Sequence, residues 1–196
     1  MGMNNSRNFD LLTLGQVLLR LSPPDNERLS RGDTFVKQVG GAELNVAVGA
    51  ALLGLHTGVI SKLPAHDIGS FMKGKIRSFG VSDDFFMYDQ SSSARVGIYY
   101  YENGAYPRKP KVIYDRNNSS FFSLNIDEIP EEVYTASKCF HTTGITLALN
   151  EKIRETTIEM IKRFKAAGTL VSFDVNFRGN LWTGDEAREC ILRILP

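Results

Sequence analysis

Residues 35–63 read FVKQVGGAELNVAVGAALLGLHTGVISKL, and the spacing of their apolar residues changes twice along this stretch. Residues 35–39 alternate between apolar and polar as a strand does, up to a pair of glycines. Over residues 42–55 the apolar positions follow the period of a helix, which is predicted to end near Gly54. A second strand is predicted at residues 57–63. Strand, helix and strand in succession predict one unit of a parallel α/β sheet.

The same alternation continues on both sides of this stretch. A buried strand is predicted at residues 9–14, where an apolar run stops at Gly15. Downstream, the pattern predicts a helix at 67–79, a short helix at 127–136, a strand at 138–141, a long helix between Asn150 and Gly168, a buried strand at 169–174 and a last helix at 185–195. Strands that alternate with helices indicate an α/β fold whose parallel sheet is covered on both faces.

The segment from residue 93 to residue 114 has a different texture. Residues 95–101 and 111–114 are rich in aromatic and β-branched side chains, and Glu102-Asn103-Gly104 supplies a turn signal between them. We predict that this segment forms an antiparallel excursion from the main sheet.

Composition places bounds on the function. The 196 residues carry 23 Lys and Arg against 22 Asp and Glu, a net charge of +1, so no basic surplus indicates nucleic-acid binding. No apolar run approaches the length of a membrane span, and the polar N-terminus lacks the apolar core of a secretory signal. Cys139 and Cys190 lack the spacing of a zinc site and are predicted to be free thiols. We therefore expect a cytoplasmic protein with no nucleic-acid or membrane partner.

Ligands of a parallel α/β sheet bind beyond the carboxyl ends of the strands, and three candidate sites lie at such positions. The first is the glycine pair Gly40-Gly41, which joins a strand to a helix. Glycines allow a ligand to approach the backbone closely, and the free N–H groups of the helix suit an oxygen-rich ligand. A plain tight turn is the alternative, although Asn45 on the first helical turn would direct an amide at the same crevice.

The second candidate follows the strand predicted at residues 169–174. Alternation along an extended chain would place Asp174, Asn176 and Arg178 on one side of it. Three polar groups at the carboxyl end of a strand favour a binding site, and an Asp–Arg ion pair that stabilises the loop is the alternative.

The third candidate closes the aromatic segment. Tyr114 precedes Arg116 by two positions, and Tyr99 lies on the strand predicted to pair with them. Tyrosine rings on a β-ribbon often serve sheet packing alone, which is the alternative for both rings. A guanidinium group can bind a carboxylate or a phosphate through two parallel hydrogen bonds, so Arg116 and Arg178 together predict an anionic ligand.

Three other patterns carry less weight. Residues 69–76 nearly match the spacing of a phosphate-binding P-loop, but Ile76 stands where Ser or Thr would hold Mg²⁺, and the segment lies within a predicted helix. No GxGxxG follows a strand, so a nicotinamide-dependent Rossmann protein has support from the fold class alone. The three histidines show no metal-ligand spacing, although His141 ends a predicted strand and could line the crevice.

Taken together, these residues resemble the ribokinase-like carbohydrate kinases of the pfkB family. The run GGAELNVA at 40–47, followed by Gly54, is similar to the N-terminal signature of that family. Segments that resemble 2-keto-3-deoxygluconate kinases in particular are LGQVLLRLSP at 14–23, VIYDR at 112–116 and DVNFRGNLW at 174–182, and HTTGI at 141–145 is similar to a further family segment. The resemblance covers nearly the whole chain from Phe9 onward and corresponds to the N-terminal two-thirds of a family member.

The resemblance implies a Rossmann-like domain with a small β-sheet lid over the sugar, made by residues 17–39 and 95–116, and a homodimer formed through that lid. It implies phosphoryl transfer from ATP, with Mg²⁺, to a small-molecule sugar or sugar acid. The substrate-binding residues that it implies are Gly40, Gly41, Asn45, Tyr99, Tyr114, Arg116, Asn176 and Arg178. Gln16 departs from the family pattern, where relatives often carry Glu, and this weakens a sugar-binding role at that position.

The catalytic part of the family pattern is absent from the sequence. The resemblance implies a catalytic base, an Asp in a Gly-Ala-Gly-Asp motif, and an ATP pocket in the C-terminal third of a family member, and no such motif occurs in residues 1–196. We therefore expect this chain to be the acceptor-binding part of a 2-keto-3-deoxygluconate kinase, with no catalytic residue and no metal ligand of its own. Another sugar kinase of the family, such as a fructokinase, is one alternative, and an inactive sugar-binding or dimerising remnant is the other.

Overall fold

Strands and helices alternate along residues 7–195, the part of the chain that the computed structural model describes. The strands are β1 (Phe9–Leu14), β2 (Leu18–Ser22), β3 (Val36–Gly40), β4 (Thr57–Pro64), β5 (Val81–Ser82), β6 (Phe86–Asp89), β7 (Gly97–Glu102), β8 (Lys111–Asp115), β9 (Ser137–Thr143) and β10 (Leu170–Asp174). The α-helices are α1 (Ala42–Leu52), α2 (Asp67–Ser78), α3 (Gly144–Leu147), α4 (Glu151–Ala166) and α5 (Gly184–Leu192). Short 3₁₀ helices lie at Ser120–Ser123, Ile126–Glu128 and Glu131–Thr135.

The main sheet is parallel throughout, as the alternation of strands and helices predicts. Its strand order is β10-β9-β1-β4-β5, and β6 pairs with β4 farther along the same strand. The apolar run of β1 lies at the centre, where Leu12 and Leu14 are fully buried. β10 lies at an edge, and its Leu170 is 68% exposed. The expectation of a buried strand at residues 169–174 is therefore wrong for the described part of the chain.

Two hydrophobic cores lie on opposite faces of this sheet. Successive side chains of a strand point to opposite faces, so Val59 of β4 belongs to one core and its neighbour Ile60 belongs to the other. The first core is completed by α1 and α2, with Met72 fully buried, and the second by α4 and α5, with Phe164 fully buried. Helices thus cover both faces, which confirms the predicted α/β architecture.

A second, smaller sheet has the strand order β3-β2-β7-β8. The outer pairs, β2 with β3 and β7 with β8, are antiparallel, but the central strands β2 and β7 are parallel. The small sheet predicted beside the main one is present, and it is mixed rather than purely antiparallel. The reason is its connectivity: β2 and β7 each start a hairpin and run in the same direction, and each hairpin partner returns on the outer side.

Some local predictions need correction. Residues 127–136 form two 3₁₀ helices rather than one short helix, because Pro130 between them lacks an N–H and disfavours helical backbone before it. The long helix α4 begins as expected, since Asn150 Oδ1 accepts a hydrogen bond of 2.7 Å from the N–H of Ile153.

The predictions about signals and membranes rest on different parts of the chain. Most of the polar N-terminal segment, residues 1–6, lies outside the described residues. In residues 7–195 no helix combines the length and the apolar character that a membrane span needs.

Candidate functional site

A cavity of about 630 Å³ lies between the small sheet and the carboxyl ends of the main-sheet strands. Seven of the eight predicted site residues line it: Gly41, Asn45, Tyr99, Tyr114, Arg116, Asn176 and Arg178. The rest of the lining is Gln16, Leu18, Arg20, Ala42, Glu43, Tyr101, Val112 and Ile145. The structure thus brings together residues from all three candidate sites, which are far apart in the sequence.

The glycine pair forms the junction between β3 and α1 at one wall of the cavity. Gly41 has a φ of 154°, and a Cβ added there would lie 2.7 Å from the carbonyl oxygen of Gln16. Gly40 is buried and does not line the cavity, but a Cβ at this position would lie 2.5 Å from Tyr99 Oη. Position 41 therefore requires glycine, whereas a side chain at Gly40 would displace the Tyr99 hydroxyl. The N-terminus of α1 opens onto the cavity beside Asn45.

Arg116 is held in place by a buried amide. Its Nε donates a hydrogen bond of 2.8 Å to Gln16 Oε1, and Gln16 Nε2 donates to the carbonyl of Arg116 at 3.2 Å and to Ser119 Oγ at 2.7 Å. The guanidinium also lies 5.7 Å from the centre of the Tyr114 ring. Gln16, whose role the sequence left in doubt, thus orients the arginine.

The charge of Arg116 has no ion-pair partner among residues 7–195. Burial lowers the pKa of this guanidinium, and Tyr114 and Glu43 act in the opposite direction. An arginine that is partly withdrawn from water and fixed through Nε favours an anionic ligand on its terminal nitrogens.

The loop after β10 contributes Asn176 and Arg178 but not Asp174. The Asp174 carboxylate accepts a hydrogen bond of 2.9 Å from the N–H of Asn176, and Asn176 has a left-handed φ of 37°. The chain turns here instead of remaining extended, so the expected alternation of all three side chains is wrong. The alternative to a binding site here was an ion pair between Asp174 and Arg178, and this pair does not form in the described structure. Arg178 Nη1 instead donates to the carbonyl of Phe177 at 3.0 Å.

The small sheet lines the cavity with one face. Tyr99 pairs with Tyr114 across β7 and β8, and their ring centres lie 6.0 Å apart. Four lining residues of this sheet were not predicted: Leu18, Val112, Tyr101 and Arg20, and the Arg20 guanidinium lies 4.3 Å from the Tyr101 ring centre. The period of a strand carried the signal for Tyr101, since it follows Tyr99 by two positions and shares its face. Burial raises the pKa of Tyr99, and the charge of Arg20 opposes this shift.

Glu43 is a further residue that sequence reasoning missed. It lies on the first turn of α1 and is only 2% exposed. Its Oε1 accepts hydrogen bonds from Thr143 Oγ1 at 2.6 Å and from Thr146 Oγ1 at 2.7 Å. Burial raises the pKa of the Glu43 carboxyl above its ordinary value of 4.5, although these two bonds and the charge of Arg116 act in the opposite direction. Nothing in the sequence distinguishes this glutamate from an exposed residue of an amphipathic helix.

The raised pKa of the Glu43 carboxyl makes the free energy of unfolding depend on pH. Because its pKa is raised in the folded state, folded protein holds this proton more tightly than unfolded protein does. Its contribution to the free energy of unfolding therefore falls as pH rises from the unfolded pKa through the folded one. We expect Glu43→Gln to gain stability relative to wild type over this range, measured by urea unfolding at a series of pH values.

The comparison with Glu43→Gln is controlled internally. The carboxyls of Asp10 and Glu155 have lowered pKa values because Lys138 and Arg193 donate hydrogen bonds to them, so their contributions are lost as pH falls. Both proteins share these groups, and their effects cancel in the difference. A difference that stays constant with pH would contradict the raised pKa of Glu43.

The cavity is positively charged overall. Arg20, Arg116 and Arg178 line it, and Glu43 is the acidic residue of the lining. In residues 7–195 no group of three or more His, Cys, Asp and Glu side chains is placed to hold a metal ion. His141 does not line the cavity as was considered, because it is 7% exposed and its Nδ1 lies 3.0 Å from Ser172 Oγ.

Comparison with known proteins assigns this arrangement to a family. Residues 8–196 match the sequence model of a family described as pfkB family carbohydrate kinase. A 2-dehydro-3-deoxygalactonokinase of Haloferax volcanii is 37% identical over 187 residues, which cover 95% of this chain and 58% of that protein. The crystal structure of 2-dehydro-3-deoxygluconokinase from Thermotoga maritima has a TM-score of 0.88 at 35% identity and covers 94% of this chain and 56% of that one.

A more distant solved structure carries a nucleotide. Fructokinase with bound ATP from Xylella fastidiosa has a TM-score of 0.77 at 25% identity and covers 94% of this chain and 54% of that one. The present chain therefore spans a little more than half the length of the relatives that it matches. The match to the family description and the similarity of fold lead to one assignment: this chain belongs to the pfkB family of carbohydrate kinases.

Proposed function

We propose that this chain is the sugar-acid-binding part of a kinase that phosphorylates a 2-keto-3-deoxy sugar acid. The observation that carries the proposal is the position of Arg116, fixed by Gln16 and unpaired by any carboxylate of the described chain. Arg178 lies near it, since both arginines also line a smaller adjoining cavity of about 210 Å³. Two guanidinium groups at one end of a cavity suit the carboxylate of such an acid.

The other lining residues suit the polyol end of the same ligand. Asn45 and the N-terminus of α1 offer an amide and free N–H groups for hydroxyl oxygens, and Tyr99 offers a phenolic hydroxyl. The small sheet would cover the ligand from the opposite side. In this proposal Asn176 holds a further oxygen of the sugar near the end of β10.

ATP enters the proposal as the phosphoryl donor, in keeping with the relative that has bound ATP. Among residues 7–195 no group of three or more His, Cys, Asp and Glu side chains is placed to hold a metal ion. We therefore assign no residue of this chain to the nucleotide, the metal ion or the catalytic base. Its residues bind and orient the acceptor, which is the positioning part of phosphoryl transfer.

A fructokinase activity is the alternative within the family. A neutral ketose would leave the charge of the half-buried Arg116 without a partner, and the cost of that arrangement favours an acid. The two arginines do not distinguish a gluconate from a galactonate, because these acids have the same carboxylate end and differ in the configuration of a hydroxyl. The proposal therefore names the class of acid.

The test is a calorimetric titration of this chain with 2-keto-3-deoxygluconate, with its galactonate isomer and with fructose. We expect saturable binding of the acids and weaker binding of fructose. A preference for fructose, or no binding of the acids, would overturn the proposal. Adding ATP and Mg²⁺ then separates a binding role from catalysis, since release of ADP with the acid would show a turnover for which no base has been assigned here.

A further inference from the structure

Glu43 joins two walls of the cavity through a single oxygen atom. The wall that carries Glu43 is the first turn of α1, which also carries Asn45. The other wall is the junction of β9 with α3, where Thr143 and Thr146 donate their hydroxyls to Glu43 Oε1 and Ile145 between them lines the cavity. The separation of these walls therefore depends on a buried acceptor.

A third wall of the cavity, the turn between β1 and β2, packs against the same carboxyl group. A Cβ added to Gly15 would overlap Oε2 and Cδ of Glu43, so the turn between β1 and β2 leaves space for this carboxyl. The next residue of that turn is Gln16, which holds Arg116. Glu43 thus lies where three segments meet, which carry Asn45, the lining residue Ile145, and Gln16, the residue that orients Arg116.

We propose that Glu43 is a positioning residue for sugar binding, which sets the spacing of the walls that carry Asn45, Ile145 and Gln16, the last of which holds Arg116. It acts through Thr143 and Thr146, whose hydroxyls donate to its Oε1. The inference rests on the sugar binding proposed above. Thr143 and Thr146 donate to one buried oxygen, and losing that acceptor would leave two buried hydroxyls unpaired, so the acceptor suits a fixed junction.

Two substitutions at Glu43 test whether binding depends on its oxygen acceptor: Glu43→Gln keeps an acceptor, and Glu43→Ala removes it. Glu43→Gln keeps the Oε1 acceptor, so its affinity for 2-keto-3-deoxygluconate should stay within about threefold of wild type. Glu43→Ala leaves two buried hydroxyls without their acceptor and opens a void, and its affinity should fall by about tenfold or more for the acid and for fructose alike. Affinities are measured by calorimetry at a temperature where circular dichroism shows each protein folded.

A milder variant keeps the test decisive if Glu43→Ala does not fold. Thr146→Val removes one hydroxyl at nearly constant volume and should weaken binding of both ligands by about threefold to tenfold. The matched control is Thr157→Val on α4, since Thr157 is fully buried and its hydroxyl has no hydrogen-bond partner in the described chain. We expect the control to bind both ligands as wild type does.

The outcomes distinguish this inference from the proposed function. If wild type binds the acid but Thr146→Val and every folded Glu43 variant bind it equally well, the positioning role is wrong and the proposed function stands. If Glu43→Gln loses as much affinity as Glu43→Ala, an oxygen acceptor at this position is not enough to maintain binding, and the inference is again overturned. If wild type binds none of the sugar acids, the proposed function itself fails.

Discussion

Replacing Arg116 with methionine should weaken the binding of 2-keto-3-deoxygluconate by about 30- to 150-fold, because a hydrogen bond between charged groups is worth about 2 to 3 kcal/mol. Fructose has no carboxylate, so its affinity should change by less than about threefold. The methionine fills much of the same volume, and Gln16 and Tyr114 can pack against it. Calorimetric titration of both proteins with both ligands gives the comparison.

Two further variants define what the arginine contributes. Arg116→Lys keeps a charge but loses the planar fork and the bond from Nε to Gln16, so we expect a loss intermediate between wild type and Arg116→Met. Arg193→Met is the matched control, since Arg193 forms an exposed ion pair of 2.6 Å with Glu155 and neither residue lines the cavity. An equal loss of acid and fructose binding in Arg116→Met would show that Arg116 supports the cavity without recognising a carboxylate.

The alternation of strands and helices could be predicted because one face of a long strand or helix is buried. This places apolar residues at regular intervals along its sequence. The apolar run at residues 9–14 matches β1, and the change of period after Gly41 matches the start of α1. Strands β5 and β6 escaped prediction, since elements of two and four residues are too short to show a period. The edge position of β10 also escaped, because an apolar sequence does not reveal how many neighbours a strand has.

Some residues of the candidate site could likewise be predicted from the sequence, and others could not. Gly41, Asn45 and Arg116 could be named because glycine, amide and guanidinium groups at strand ends indicate ligand binding whatever the details of packing. Glu43 could not, since its role depends on Thr143, which lies a hundred positions away in the sequence. Asp174 was wrongly included because one hydrogen bond within the loop, to the N–H of Asn176, changes the direction of the chain.

Replacing Phe140 with alanine should lower the free energy of unfolding by about 3 to 5 kcal/mol, the range found when a large aromatic side chain is removed from a core. Phe140 lies on β9, is fully buried and stacks on Phe164 of α4 with ring centres 4.1 Å apart. The Phe164 ring in turn meets Tyr134 edge to face at 5.1 Å. The substitution therefore opens a void where the main sheet, α4 and a 3₁₀ helix meet. Urea unfolding followed by circular dichroism measures the effect.

Phe79→Ala is the matched control, because Phe79 is 37% exposed at the end of α2 and its removal should cost about 1 kcal/mol or less. A similar loss in the two variants would contradict the placement of the core. Phe140 lies three residues before Thr143, whose hydroxyl holds Glu43, but its side chain points into the core between the sheet and α4. At a temperature where Phe140→Ala is folded, we therefore expect its affinity for 2-keto-3-deoxygluconate to match that of wild type, so that stability is lost without binding.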